Sequence, residues 1–322
     1  MGKLAFVFPG QGAAVVGMGR DIVAASPAAA ALWEQAVAAL PALPRLCFEG
    51  PLAELVETVN AQPAIFAVDC ACLAALTAEG IVPAVVAGHS LGEYAALVAA
   101  GALEFASALA LVRARAAAMQ AACARPGSML AVTGLDAARV EALVAEWRGD
   151  GLLVVANYNC PGQVVVSGDV AAIRAAAPYF TAAGARVTEL AVGGAFHSPL
   201  MAPGEARFLP ALEAAPLRDA RLPVVPNLTA RPTTAAEELR AALRRQITGS
   251  VRWQQSVEAM LALGVDTFIE VGPGRTLLGL VRRTAAERGL RPRLLNVEDA
   301  ASLARTVAAL RTSVDEEVEA VK

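Results

Sequence analysis

The stretch Ala84-Val85-Val86-Ala87-Gly88-His89-Ser90-Leu91-Gly92 decides how this chain folds. Ala84 to Ala87 is a short, uncharged, apolar run of the length of a buried strand, and from Leu91 to Ala100 the pattern is helical. Between them lies Gly-x-Ser-x-Gly, with glycines at 88 and 92 that let a turn close tightly. Strand, sharp turn and helix in succession form the context of a nucleophile elbow, where a serine hydroxyl stands exposed at the top of a sheet. A glycine-rich turn without chemistry shares the same five-residue pattern, so support has to come from the rest of the chain.

Working outward, Leu4 to Phe8 is a second buried strand, running into the loop Pro9-Gly10-Gln11-Gly12. Ser26-Pro27 reads as an N-cap followed by a first-turn proline, opening an alanine-rich helix to Leu40. Another helix starts at Gln62-Pro63 and runs to Glu79. The segment from Ser128 to Val192 has its own order. Strands at Met129–Thr133, Leu152–Asn157, Val164–Ser167 and Arg186–Leu190 are interleaved with helices at Asp136–Trp147 and Val170–Ala183, and the turn Asn159-Cys160-Pro161-Gly162 joins the middle strands. This is βαββαβ, the ferredoxin-like pattern. Strands at Leu222–Pro226, Val265–Val271 and Leu294–Val297 then resume the first texture, with Thr234-x-x-Glu237 read as a capping box. The expected fold is α/β, a core with a mostly parallel sheet formed by residues 1–126 and 196–322, interrupted by a small ferredoxin-like subdomain at 127–195. Past Arg311 the acidic tail Asp315-Glu316-Glu317 reads as frayed.

Composition narrows the function. With 56% hydrophobic residues over 322, the chain buries a large core and reads as a soluble globule. Its 27 basic and 30 acidic side chains, net charge -3, give no field to attract a polyanion, so nucleic acid is not an expected partner. Five cysteines without Cys-x-x-Cys spacing, and only two histidines, make a metal site unexpected and fit free thiols in a reducing cytoplasm. The start Met1-Gly2-Lys3-Leu4-Ala5-Phe6 carries no secretory or myristoylation pattern, and no uncharged stretch free of Asn, Gln and Pro is long enough to span a membrane.

Serine is a weak nucleophile that needs a base and donors for the oxyanion it creates. His89, just before Ser90 on a sharp turn, points away from it. His197 is then the one imidazole left to serve as base. The backbone N–H of Leu91, at a helix N-terminus, points at the developing charge, and that of Gln11 on the neighbouring strand's loop is geometrically placed for a second donor, unless Gln11 is an ordinary turn glutamine. His197 needs its other nitrogen held, and the run Arg244-Arg245-Gln246-Ile247 leaves open whether a carboxylate or a carbonyl does so. Arg115 flanks the apolar stripe of a helix from Glu104 to Cys123, and its neighbours Leu111, Val112, Ala118 and Met119 offer no acid. Its guanidinium requires a distant acid or the carboxylate of a ligand.

Several runs taken together resemble malonyl-CoA:acyl carrier protein transacylases and the acyltransferase domains of polyketide synthases. They are Phe8-Pro9-Gly10-Gln11-Gly12, Gly88 to Tyr94, Arg115, Asn157-Tyr158-Asn159 with Pro161-Gly162-Gln163-Val164, Gly194-Ala195-Phe196-His197-Ser198, Arg245-Gln246, and Glu270-Val271-Gly272-Pro273-Gly274. The resemblance spans almost the whole chain in order. It implies a hydrolase-like α/β core with a ferredoxin-like insert, and malonyl transfer from malonyl-CoA to the phosphopantetheine thiol of an acyl carrier protein, in fatty acid or polyketide biosynthesis. It further implies Ser90 as nucleophile, His197 as base, the amides of Gln11 and Leu91 as oxyanion hole, Arg115 as clamp on the malonyl carboxylate, and the Gln246 carbonyl as the group orienting His197. No permanently bound cofactor and no metal are implied. Phe196 before the histidine resembles malonyl-selecting members, because an aromatic ring there crowds an α-methyl group, whereas Gly194 departs from the histidine often found in the synthase version.

Overall fold

The computed structural model describes residues 2–320, with side chains described through residue 311. Its strands are β1 (Lys3–Phe8), β2 (Val85–Gly88), β3 (Gly127–Thr133), β4 (Leu153–Cys160), β5 (Gln163–Asp169), β6 (Arg186–Glu189), β7 (Val224–Val225), β8 (Val265–Val271) and β9 (Arg293–Val297). One sheet has the order β7-β2-β1-β8-β9, with every pair parallel. The other has the order β4-β5-β3-β6, with every pair antiparallel. That is the strand order of the ferredoxin-like pattern, so both halves of the expected α/β fold are present.

A parallel sheet must be covered on both faces, and β1 shows how its sequence meets that demand. Leu4, Phe6 and Phe8 enter one apolar cluster with the helix Thr58–Ala78. Ala5 and Val7 enter another with the helices Trp253–Ala262 and Thr276–Glu287. The helix Thr58–Ala78 is long and apolar enough by composition to cross a membrane, but 83% of its most apolar stretch is buried inside the protein, as befits a core helix. The small sheet packs Leu130, Val132, Val164 and Val166 under its own helices Ala137–Glu146 and Val170–Ala182. Met129 and Val165 on its other face join the main core. Backbone bonds from Tyr158 N–H to the Val251 carbonyl (2.9 Å) and from Val251 N–H to that of Ala156 (2.8 Å) tie β4 to the core.

Three local readings change. The helix read from Gln62 begins at Thr58 and carries Pro63 inside it. The proline gives up one backbone bond within a helix whose residues Ala61 to Leu73 are buried in the core. Thr234 and Glu237 form no capping box. The helix there is Ala236–Arg244, and Asp219 caps it by accepting from Ala236 N–H at 2.8 Å. The last helix, Ala300–Ala320, carries the backbone through the tail read as frayed, in keeping with the high helix propensity of its alanine-rich start.

The two elbow glycines are dictated by sterics. A Cβ on Gly88 would lie 1.9 Å from the Gly92 carbonyl carbon, and one on Gly92 would lie 2.1 Å from the Phe8 carbonyl oxygen. Both obstacles are backbone, so neither can yield. Gly88→Ala is therefore expected to cost about 3 kcal/mol or more of stability, which denaturant unfolding would measure.

Candidate active site

The C-terminal ends of the parallel strands deliver the site. β1 and β2 are paired neighbours, so the loops beginning at Pro9 and at His89 emerge side by side. Ser90 sits at the tip of the second loop with φ of +52°, and His197 has φ of +56°. Among the described residues only one other non-glycine residue, Ala230, adopts that left-handed region. Strain of this kind survives where surrounding contacts enforce it, and here it coincides with the pair singled out from sequence.

Ser90 Oγ and His197 Nε2 are 2.8 Å apart. His197 Nδ1 lies 3.0 Å from the Gln246 carbonyl and 3.1 Å from that of Gly249. Both carbonyls can only accept, so Nδ1 carries the proton and Nε2 presents its lone pair to the serine hydroxyl. Ser198 holds the loop from below, donating to the Ala195 carbonyl at 2.6 Å. Burial foremost, then the charge of Arg115, pulls the His197 pKa down to about 3. The imidazole is neutral at physiological pH. His89 turns away from Ser90, donating from Nε2 to Asn159 Oδ1 at 3.1 Å beside the Trp253 ring.

Arg115 is 1% exposed, on the helix Phe105–Ala122. Its guanidinium donates to Ser90 Oγ (3.0 Å), Gln62 Oε1 (2.7 Å) and Gln246 Oε1 (3.2 Å), and lies over the Tyr94 ring. These partners are all uncharged, and burial lowers its pKa. The buried Glu93 carboxyl interacts with it electrostatically, but a buried cation whose hydrogen-bond partners are all neutral is costly, by several kcal/mol, unless a ligand completes it.

The N–H groups of Gln11 and Leu91 donate to no acceptor among the described residues. Both residues line a cleft of about 440 Å³ that also takes in Ser90, His197, Arg115 and Phe196. All the residues proposed from sequence for the site gather there, except that Gln246 stands behind His197. Among the described residues no cluster of His, Cys, Asp and Glu has the makings of a metal site.

Residues 5–319 match the family described as acyl transferase domain. This chain is a member of that family. It is 42% identical over 287 residues to malonyl CoA-acyl carrier protein transacylase of Bacillus subtilis, covering 88% of this chain and 90% of the relative. Against the protein of the same name from Escherichia coli K12 it is 39% identical, covering 88% and 93%. The structure superposes on malonyl CoA-acyl carrier protein transacylase from Clostridium perfringens with a TM-score of 0.92 at 33% identity, covering 99% of this chain and 100% of that one. It also superposes, at a TM-score of 0.90 and 36% identity over 95% and 99% of the two chains, on a malonyl-transacylase solved in complex with a type II PKS acyl-carrier protein.

Around the acyl transferase's elbow lie polar residues to which no role was given from sequence. Glu93 is buried on the first turn after the serine, and its Oε2 accepts from Gln246 Nε2 (2.8 Å) and Asn227 N–H (3.0 Å). Burial pushes its pKa up to about 7 against those hydrogen bonds and the charge of Arg115. Gln62 reaches Arg115 and, at 3.4 Å, Gln11 Oε1. Glu93 was visible inside the motif run, whereas Asn227 left no mark in the sequence.

Proposed function

We propose that this acyl transferase moves a malonyl group from malonyl-CoA to the phosphopantetheine thiol of an acyl carrier protein, through an ester on Ser90, in fatty acid or polyketide biosynthesis. The observation carrying the reading is Arg115, a buried guanidinium whose hydrogen-bond partners are all uncharged, 3.0 Å from the serine hydroxyl. A carboxylate two bonds from a thioester carbonyl is the ligand such a group awaits, held through two parallel hydrogen bonds. The curated relatives carry malonyl CoA and acyl carrier protein in their names.

In the first half-reaction Ser90 Oγ attacks the thioester carbonyl carbon while His197 Nε2 takes the hydroxyl proton. The oxyanion meets the N–H groups of Gln11 and Leu91. The intermediate collapses, the C–S bond breaks, and His197 returns the proton to the departing CoA sulfur. In the second half the carrier's thiol gives its proton to His197 and attacks the Ser90 ester, and the serine leaves reprotonated. The Gln246 carbonyl, joined by that of Gly249, keeps His197 in the required tautomer. Phe196, buried at the cleft wall, crowds an α-methyl substituent. Every step uses protein groups and needs no resident cofactor. We divide the chain into a large subdomain, 1–126 and 196–322, and a small one, 127–195, with the cleft drawing residues from both, and we place the enzyme in the cytoplasm.

With malonyl-, acetyl- and methylmalonyl-CoA offered beside a holo acyl carrier protein, malonyl transfer is expected to dominate. Dominant acetyl transfer, or release of acyl groups to water in place of transfer, would contradict the reading. The base also sets a pH profile. An imidazole of pKa 6.5 would cost roughly tenfold in kcat/KM by pH 5.5. With its pKa at about 3, His197 stays unprotonated there, so once Glu93→Gln removes the buried carboxyl whose pKa lies at about 7, kcat/KM for Ser90 acylation is expected to show no acid limb near 6.5.

A further inference from the structure

We propose that Asn227 is the positioning residue of the nucleophile turn: its amide clips the peptides on either side of His89 and holds Ser90 in the left-handed conformation that aims Oγ at His197. The inference rests on the reading of Ser90 as nucleophile. It starts from β7, which has only two residues and pairs with β2 at Val86 and Ala87. Past that point β7 no longer pairs alongside the elbow, whose other edge stays bonded to β1 through His89 N–H to the Phe8 carbonyl at 2.9 Å. The chain turns at Pro226, and the side chain of Asn227 takes over. Its Oδ1 accepts from Ser90 N–H at 2.6 Å, and its Nδ2 donates to the Gly88 carbonyl at 2.6 Å. One planar amide thus satisfies the last acceptor of the strand and the donor at the tip of the turn.

The clip is itself anchored. Asn227 is 1% exposed, its N–H is taken by Glu93 Oε2 and its carbonyl by Arg252 N–H at 3.0 Å. Glu93 also accepts from Gln246 Nε2, which donates in turn to the Ser90 carbonyl at 3.0 Å. The two peptide groups flanking Ser90 are therefore fixed from opposite sides by Asn227 and Gln246, with Glu93 as their common post. Left-handed serine costs about 1–3 kcal/mol and would otherwise relax, carrying Oγ away from the imidazole. The clip also sorts donors: Ser90 N–H is consumed, so Leu91 N–H is the elbow amide left for an oxyanion.

Only an amide suits the position, because an ionised carboxylate would set an oxygen without a hydrogen against the Gly88 carbonyl. The test compares Asn227→Asp, equal in shape, and Asn227→Ala with the wild type. Ser90 malonylation and labelling by a serine-directed fluorophosphonate are followed kinetically, and folding by thermal melting. Both variants are expected to melt cooperatively and to lose about 100-fold in kcat for acylation with KM little changed, with fluorophosphonate labelling slowed in parallel. Wild-type acylation in Asn227→Asp, a loss confined to KM, or failure of both variants to fold would overturn the proposal. A wild-type enzyme that takes no malonyl label would instead overturn the functional reading itself.

Discussion

Ser90→Ala is expected to abolish the malonyl-enzyme and to lower transfer to the carrier protein by at least ~10⁴-fold, with the fold intact. The size follows from the loss of covalent catalysis, since among the described residues no other nucleophile is hydrogen-bonded to the His197 lone pair. Fold retention follows from the environment. Alanine at φ of +52° bears much the same backbone strain as serine, and the bonds from Asn227 and Gln246 to the residue-90 backbone do not involve the hydroxyl. The check is a radiolabelled transfer assay beside a thermal melt. Residual transfer within tenfold of wild type would remove Ser90 from the chemistry.

Arg115→Ala is expected to separate malonyl from acetyl substrates. Under the proposed mechanism a malonyl carboxylate takes the place of uncharged hydrogen-bond partners around the buried guanidinium, and in the variant the same carboxylate would enter the cleft without that cation. Leaving one member of such a pair unmatched costs about 2–5 kcal/mol, or roughly 30- to 4,000-fold in kcat/KM for malonyl-CoA. Acetyl-CoA carries no carboxylate, so its kcat/KM should fall far less. Lysine at 115 keeps a charge but lacks the fork, and its malonyl kcat/KM should lie between alanine and wild type. Equal losses for both substrates would show that Arg115 supports the pocket and does not recognise the acyl group.

The parts of this site that are legible in the sequence are those where chemistry or sterics leave a single residue type. Gly88 and Gly92 announce the elbow because a Cβ at either would strike backbone at 1.9 and 2.1 Å. His197 stands out because no other free imidazole exists to compete with it, and Arg115 because helical spacing gives it no acid. The order of strands and helices between Gly127 and Glu189 carries the ferredoxin-like topology, since short hairpins and crossovers leave few other arrangements. Asn227 was not legible. A neutral amide acquires its meaning only from partners, and this one acts on Ser90, 137 residues away. The same reason explains the failed capping box at Thr234, where Asp219 supplies the cap from 17 residues upstream. Gln62 and Glu93 likewise gain their roles only when the sheet brings the helix Thr58–Ala78 and the elbow to the same cleft.

Peptide mapping by mass spectrometry after incubation with malonyl-CoA alone, followed by addition of a holo acyl carrier protein, tests the ping-pong route at its centre. A malonyl ester confined to Ser90, which then vanishes as the carrier's thiol acquires the group, is the outcome expected. Label absent from Ser90, or transfer that occurs only when both substrates are present and never through a modified enzyme, would contradict it.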